Sequence, residues 1–182
     1  VYRVARRREG VRGALRDLLS RRHDEVRAVD DVSFAIRPGE RVGLIGPNGA
    51  GKSTVVKLLS GILTPTSGRL RVAGYEPAED RTRYTRHIGA VFGQRTQLWW
   101  DIAPIETFRL LRIVYDVPKG AFETDLAFLV RLLEAESFLR MPGRKLSLGQ
   151  RMRCDLIAAF LHRPRIAFLD EPTIGLDVVA KD

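Results

Sequence analysis

Apolar residues alternate with polar ones in the first half of the chain and recur at helical spacing in much of the second half. Val32, Phe34 and Ile36 alternate with polar or small residues, which predicts a half-exposed strand. Four apolar runs predict further strands, of which we expect the first and the last to be buried: 41–45, 70–73, 87–92 and 166–169.

Helices are predicted between these strands. A glycine-rich loop leads into a helix over 52–59, and the spacing over 104–141 predicts two helices separated at 118–120. A further helix is predicted after Gln150 and ends near His162, because the residue before a proline disfavours helix. This order of elements predicts an α/β core with a helical insertion.

Composition narrows the class of protein. With 45% hydrophobic and 29% charged residues in 182, the chain is neither disordered nor fibrous. The single cysteine, Cys154, excludes an internal disulfide and a cysteine metal cluster, and it suits a reducing cytoplasm. Apolar runs stay below the roughly 18 residues that cross a bilayer. Because the chain begins at Val1 and stops within a motif at Asp182, we interpret it as a fragment.

The net charge of +9 is concentrated at the N-terminus, where residues 1–28 hold nine arginines and four acidic residues. We take 1–27 as a basic N-terminal segment, in which Val11, Leu15, Leu18 and Leu19 predict a short amphipathic helix. Such a segment suits a phosphate-rich partner or an anionic membrane surface, and a merely solvated basic face remains an alternative.

A phosphate-binding loop is the strongest chemical signal. Residues 46–53, Gly-Pro-Asn-Gly-Ala-Gly-Lys-Ser, match G-x-x-x-x-G-K-[ST] directly after a predicted strand and before a predicted helix. Glycines let the backbone N–H groups surround phosphate, and the helix N-terminus adds a positive dipole. Lys52 would reach the β- and γ-phosphates, and Ser53 would offer its hydroxyl to Mg²⁺.

Two carboxylates follow the last predicted strand. Asp170 suits Mg²⁺ binding, and Glu171 suits polarisation of an attacking water. They follow Lys52 by 118 residues with strand and helix between. The pair predicts a nucleoside triphosphatase.

From about residue 28 onward, the sequence resembles the nucleotide-binding subunits of ATP-binding cassette (ABC) transporters. The resemblance rests on four motifs in the family's order: 46–54 (Walker A), 92–94 (Phe-Gly-Gln), 146–150 (Leu-Ser-Leu-Gly-Gln) and 169–177, with Asp-Glu-Pro-Thr and Gly-Leu-Asp. It implies a phosphate-loop NTPase core with a mostly parallel sheet, an antiparallel β subdomain and an inserted helical subdomain. The nucleotide-binding domain would span 28–182, incomplete at the C-terminus, with the helical subdomain at about 100–145.

The resemblance also implies a role for individual residues. Glu171 and Gln94 would be catalytic, and Mg²⁺ would be held by Ser53, Gln94 and Asp170. The signature motif, residues 146–150, would bind the nucleotide of a second subunit through Ser147, Gly149 and Gln150, and Asp177 would link the two sites across a head-to-tail dimer. ATP would be bound by Gly46, Asn48, Gly49, Gly51, Lys52, Ser53 and Thr54.

The sequence departs from the family's pattern at three points. Leu148 replaces the first glycine of the signature motif, although Ser147 and Gly149 remain. For the aromatic residue that stacks on adenine, the nearest candidate is His23, and a solvated histidine is the alternative. The family's switch histidine lies beyond residue 182, and His162 is not a substitute, so we expect that the fragment hydrolyses ATP poorly.

Within the family, the chain looks like ATPases of ABC-2-type multidrug, daunorubicin or viologen exporters. Trp99 and Trp100 follow Gln94, where the family docks its permease; packing inside the helical subdomain is the alternative. We therefore predict a motor subunit, homo- or heterodimeric, bound peripherally to an ABC-2-type permease at the cytoplasmic face of the membrane. A soluble ABC ATPase that acts on the ribosome or nucleic acid is the alternative, although 118 residues leave no room for a long coiled-coil insert, and a non-catalytic regulator is a third.

Overall fold

The computed structural model describes residues 2–5, 23–93 and 95–173. The chain divides into two compact units, Val1–Leu70 and Arg71–Asp182. Each unit is described separately.

The described residues of the first unit form a short antiparallel hairpin and one helix. Strand β1 (Tyr2–Ala5) pairs with β2 (His23–Val26), so that Ala5 lies opposite His23. Helix α1 (Lys52–Leu59) ends where the N–H of Ser60 binds the carbonyl oxygen of Val56. The prediction for 52–59 is confirmed. The hairpin was not foreseen, and the helix predicted around Val11–Leu19 lies outside the described residues.

The strands predicted at 32–36 and 41–45 are absent from this unit, where both segments are described as irregular. Val32, Phe34 and Ile36 are all exposed, and Ile45 is 98% exposed, so the expected burial at 41–45 is also wrong. An apolar pattern makes a strand only where a neighbouring strand pairs with its backbone and a second layer covers its face. The described residues of the unit supply neither for these segments.

The second unit is an α/β assembly. Its elements in chain order are α2 (Arg81–Tyr84), a 3₁₀ turn (Thr85–His87), β3 (Ile88–Phe92), α3 (Pro104–Val114), α4 (Lys119–Leu132), a 3₁₀ turn (Gly143–Lys145), α5 (Leu148–Phe160) and β4 (Ile166–Asp170). Strands β3 and β4 are parallel, with Ile88 opposite Ile166 and Phe92 opposite Asp170. The strand predicted at 70–73 is reduced to an isolated bridge between Val72 and Tyr75, because the chain turns back within four residues.

The main apolar core of this unit lies among α3, α4 and α5. Phe108, Phe122, Val130 and Ile157 are buried in one cluster. Phe108, Phe122 and Val130 lie at positions where the sequence shows helical spacing, and Pro118 forms the N-cap of α4. The predicted helices are therefore confirmed. Helix α5 also packs closely on β3, since a Cβ on Gly89 would collide with the carbonyl oxygen of Ala159.

Strand β4 is present where the apolar run 166–169 predicted it, but its burial differs. Its side chains alternate between half-buried and exposed, and Leu169 is 43% exposed. Burial on both faces was expected for the centre of a parallel sheet. Among the described strands, β4 pairs only with β3, so it is an edge strand. In the described parts of the chain, no helix combines the length and apolar character that a bilayer crossing requires.

Candidate nucleotide-binding site

The loop 46–53 of the first unit is built on two glycines in the left-handed region. Gly49 has φ of 84° and Gly51 has φ of 86°, conformations that strain any other residue. A Cβ on Gly51 would also collide with the carbonyl oxygen of Ala28. Helix α1 begins directly after Gly51, and no side chain caps its N-terminus. The N-terminus of a helix attracts an anion through its N–H groups and its positive dipole.

Lys52 is folded back over the same loop. Its ammonium donates to the carbonyl oxygens of Gly46, at 2.8 Å, and of Pro47, at 2.9 Å. An ammonium carries three donors, so a third remains for a phosphate oxygen. A positive charge, a helix N-terminus and a glycine-rich backbone thus meet in this loop, as phosphate binding requires.

A cavity of about 750 Å³ lies in the same unit beside α1. Thr54 lines it together with Ala28 and Val29. His23 lies in β2, a few residues before Ala28 in the sequence. The cavity has room for a group larger than phosphate. It reaches the phosphate loop only at Thr54, the residue directly after it.

The predicted carboxylates lie in the second unit at the carboxyl end of β4. Asp170 is the last residue of the strand, and the exposed Glu171 follows it with φ of 54°. A non-glycine residue in this region costs about 1–3 kcal/mol, and such strain is concentrated at functional sites. Gly93 at the end of β3 donates its N–H to the carbonyl oxygen of Asp170 at 2.8 Å. The two strand ends are therefore joined immediately before Gln94 and Glu171.

The signature motif forms the N-terminus of α5. Ser147 is the N-cap, and its Oγ accepts from the N–H of Gln150 at 3.2 Å. The side-chain oxygen of Gln150 accepts from the N–H of Ser147 at 2.9 Å, which completes a capping box. The hydroxyl proton of Ser147 and the amide nitrogen of Gln150 remain as donors for an anion.

Leu148, the departure from the family's glycine, is an ordinary helical residue at the start of α5. Since it has no positive φ, the position does not need glycine in this chain. Its side chain lines a groove of about 490 Å³ together with Arg95, Trp100 and Arg151. Arg151 lies over the Trp100 ring, 5.1 Å from its centroid. Trp99 and Trp100 are 58% and 57% exposed, so neither is packed inside the helical part of the unit.

A buried carboxylate that sequence reasoning missed lies on α5. Asp155 is 4% exposed, and its Oδ1 accepts from the hydroxyl of Thr96 at 3.1 Å and from the N–H of Gln97 at 2.8 Å. Burial raises its pKa to about 6, while these hydrogen bonds and Arg151 act in the opposite direction. The signal in the sequence was an acidic residue on the apolar face that also carries Met152.

His162 packs within the second unit and binds the backbone of β3. Its Nε2 donates to the carbonyl oxygen of Ile88 at 2.8 Å, and its ring stacks on Tyr115 with centroids 4.0 Å apart. Burial lowers the pKa of the imidazole, which favours its neutral form.

The remaining predicted site residues either lie outside the described residues or belong to different units. Gln94 and Asp177 lie outside the described residues. Ser53 belongs to the first unit and Asp170 to the second, so the Mg²⁺ ligand set remains a prediction. Within the described residues, no cluster of three or more His, Cys, Asp or Glu suits a metal ion.

The comparison with protein families decides the assignment. The family model described as ABC transporter matches residues 29–174. The chain belongs to the ABC transporter family. The match includes the phosphate loop, the signature motif and the Asp170–Glu171 pair, so the predicted membership among ABC transporter ATP-binding proteins is confirmed.

Curated relatives of this ABC protein include exporter components. The chain is 33% identical over 163 residues to the probable multidrug ABC transporter ATP-binding protein YbhF of Escherichia coli (strain K12), covering 90% of this chain and 28% of YbhF. It is 37% identical over 153 residues to the doxorubicin resistance ATP-binding protein DrrA of Mycobacterium tuberculosis (strain CDC 1551 / Oshkosh), covering 82% of this chain and 45% of DrrA. The chain thus spans less than half the length of either relative.

Solved structures support the same fold. An ATP-binding subunit of an ABC transporter superposes with a TM-score of 0.77 at 32% identity, covering 84% of this chain and 63% of that one. The dimeric cassette MJ0796 in a post-hydrolysis state, bound to ADP and Pi, has a TM-score of 0.75 at 27% identity, with 84% and 69% covered. The ABC chain therefore has the phosphate-loop ATPase fold of its family.

Proposed function

We propose that this chain is the ATP-binding and ATP-hydrolysing part of an ABC-type exporter, coupled to a separate ABC-2-type permease. The observation that carries the proposal is the Lys52 ammonium held over the uncapped N-terminus of α1, within a chain whose curated relatives include exporter components. YbhF is described as a probable multidrug transporter component and DrrA as a doxorubicin resistance protein.

ATP would be bound first through its phosphates. The N–H groups of the loop and of the first turn of α1 donate to phosphate oxygens, and Lys52 turns its remaining donor toward the β- and γ-phosphates. The residues proposed for this site are Gly46, Asn48, Gly49, Gly51, Lys52, Ser53 and Thr54. The cavity lined by Thr54 and Val29 would receive the nucleoside, and His23 remains the candidate to stack on adenine.

Mg²⁺ fits the donor set proposed for it. Hydroxyl, amide and carboxylate oxygens from Ser53, Gln94 and Asp170 are hard ligands, and this cation is usually held by a few such groups together with substrate phosphates. When bound, it neutralises charge on the phosphate oxygens. Glu171 would accept a hydrogen bond from the attacking water and orient it toward the γ-phosphate.

A second subunit would complete the site. The hydroxyl of Ser147, the N–H of Gly149 and the side chain of Gln150 lie at the N-terminus of a 13-residue helix, which favours an anion. We propose that they bind the nucleotide of the partner subunit, and that Asp177 connects the two sites. MJ0796, a relative in fold, forms a dimer.

The proposed permease contact is the exposed pair Trp99 and Trp100. Aromatic side chains that leave water at an interface often dominate its binding energy. The same contact would place the protein at the cytoplasmic face of the membrane as a peripheral subunit.

The first experiment is affinity purification of the full-length protein from detergent-solubilised membranes. A polytopic membrane protein is expected to copurify and to be lost in the Trp99→Ala/Trp100→Ala variant. The exposed pair Phe128→Ala/Leu132→Ala on α4 is the matched control and should retain it. Ribosomes or nucleic acid in place of a membrane protein would overturn the exporter proposal and favour the other class of ABC ATPase.

Hydrolysis is tested separately with Glu171→Gln. This variant keeps the shape of the side chain but removes its charge, so we expect turnover to fall at least about a hundredfold while ATP binding persists. Size-exclusion chromatography should then detect an ATP-bound dimer. Unchanged turnover in the full-length variant would contradict the role of Glu171.

A further inference from the structure

We infer that Asp155 is a positioning residue that attaches the turn 96–98 to the signature helix α5, so that Trp99 and Trp100 move together with the signature motif. The inference rests on the proposed function, because the movement is that of the ATP-driven dimer. It names Asp155 as the carboxylate that transmits the movement caused by nucleotide binding at Ser147 to the proposed permease contact.

The attachment is a chain of hydrogen bonds with Asp155 at its centre. The N–H of Leu98 donates to the hydroxyl oxygen of Thr96 at 3.1 Å, and that hydroxyl donates to Oδ1 of Asp155 at 3.1 Å. The same Oδ1 accepts from the N–H of Gln97 at 2.8 Å. Thr96 and Gln97 therefore bind one carboxylate oxygen directly, and Leu98 is connected to it through the Thr96 hydroxyl. Leu98 is buried directly before the two exposed tryptophans.

A second attachment holds the other end of the same segment. The N–H of Arg144 donates to the carbonyl oxygen of Trp100 at 2.9 Å, and the N–H of Gly143 donates to that of Ile102 at 3.0 Å. The Arg144 guanidinium also pairs with Asp101 at 2.8 Å. The segment 96–102 is thus bound by residues on both sides of the signature motif: Gly143 and Arg144 precede the motif, and Asp155 follows it.

Arg151 strengthens the connection from the same face of α5. It lies one turn before Asp155, and its guanidinium lies over the Trp100 ring. A carboxylate acceptor makes stronger hydrogen bonds than a neutral one and can serve two donors at once. These gains offset only part of the cost of burying Asp155, a cost that a purely apolar residue at this position of α5 would avoid.

The two tryptophans provide the readout, since positions 99 and 100 hold both tryptophans of the 182-residue sequence. The full-length protein is used in the Glu171→Gln background, where bound ATP persists. Subtracting the spectrum of the Trp99→Phe/Trp100→Phe variant isolates their fluorescence. Titration with ATP gives the affinity and the fluorescence change, and size-exclusion chromatography of the same samples reports the dimer.

The variants remove the attachment in steps. Asp155→Ala and Thr96→Val should keep the ATP affinity within about twofold and lower the ATP-induced fluorescence change by about fivefold or more. Asp155→Asn, which retains one neutral acceptor, should fall between them and the parent, and Thr96→Ser should restore the response. Asp125→Ala is the matched control: Asp125 binds Arg163 and should retain the full response.

Each outcome decides the inference. If Thr96→Val and Asp155→Asn both keep the parent's full response, or if the parent dimerises with ATP without any change at Trp99 and Trp100, the inference is overturned and the proposed function stands. If the parent binds ATP without dimerising, the proposed function fails and this inference fails with it. Should Asp155→Ala not fold, Thr96→Val, which keeps the shape of the side chain, decides.

Discussion

Gly93 donates its backbone N–H to the carbonyl oxygen of Asp170 at 2.8 Å. Glu171 also lies close to Gly93: a Cβ at position 93 would be 2.6 Å from the carbonyl oxygen of Glu171. These contacts join the carboxyl ends of β3 and β4. Glu171, directly beside them, has a left-handed conformation with φ of 54°. The backbone that carries the proposed water-orienting carboxylate therefore lies against the glycine that directly follows β3.

Gly93→Ala is expected to displace Glu171. The added methyl group meets backbone rather than a flexible side chain, so the strand ends must separate, at a cost of about 1–3 kcal/mol in unfolding free energy. We expect ATP turnover to fall more than ATP affinity, measured by steady-state kinetics and nucleotide titration of the full-length protein. Gly120→Ala is the control: a Cβ there contacts nothing, and alanine should stabilise α4 by about 0.5–1 kcal/mol.

Lys52→Met is expected to weaken ATP binding by about ten- to a hundredfold, because a charge-assisted hydrogen bond to phosphate is lost. The loop also loses the two hydrogen bonds that Lys52 donates to Gly46 and Pro47, while the left-handed glycines that shape it remain. Lys57→Met, in the last turn of the same helix, serves as control and should bind ATP like the parent. Equal affinities for the two variants in a nucleotide titration would contradict the phosphate loop assignment.

The helical part of the fold was predictable because helices are local. Phe108 and Leu111 recur at helical spacing in α3, as do Phe122, Leu126 and Val130 in α4, and all five belong to or pack against the buried cluster. The capping box of Ser147 and Gln150 likewise lies within one turn of chain. Such features need no information about distant residues.

The strands were less predictable because a strand depends on its partner. Residues 88–92 and 166–170 pair with each other and form strands, whereas the apolar run 41–45 is irregular, with Ile45 fully exposed. The sequence pattern singled out the phosphate loop and the Asp170–Glu171 pair, and both lie within the residues that the family model matches. The link from Asp155 to Thr96 could not be read, because it joins side chains 59 positions apart.

Ser147 is expected to have two separable roles. Ser147→Ala removes the N-cap of α5 and should lower the unfolding free energy by about 1 kcal/mol. Ser147→Asp should preserve the cap, since aspartate accepts from the N–H of Gln150 as well as serine does. Its negative charge should nevertheless repel the partner's nucleotide and abolish the ATP-bound dimer. Thermal melting and size-exclusion chromatography measure the two effects, and an Asp variant that still dimerises with ATP would contradict the role in binding the partner's nucleotide.

Asp155 is also expected to make stability depend on pH. Burial raises its pKa from 3.8 to about 6, so between these values the folded state holds more protons than the unfolded state. The unfolding free energy should therefore fall as pH rises through this window, by at most about 3 kcal/mol, and the loss is complete above pH 6. His162 acts in the opposite direction, because its lowered pKa makes the folded state bind fewer protons below about pH 6.5. To isolate the contribution of Asp155, the full-length protein and its Asp155→Asn variant are unfolded with denaturant at pH values from 4 to 7. The unfolding free energy of the parent should fall relative to that of the variant as the pH rises. Parallel curves for the two proteins would show that the carboxylate keeps its ordinary pKa, and that the turn 96–98 is not closed over it in solution.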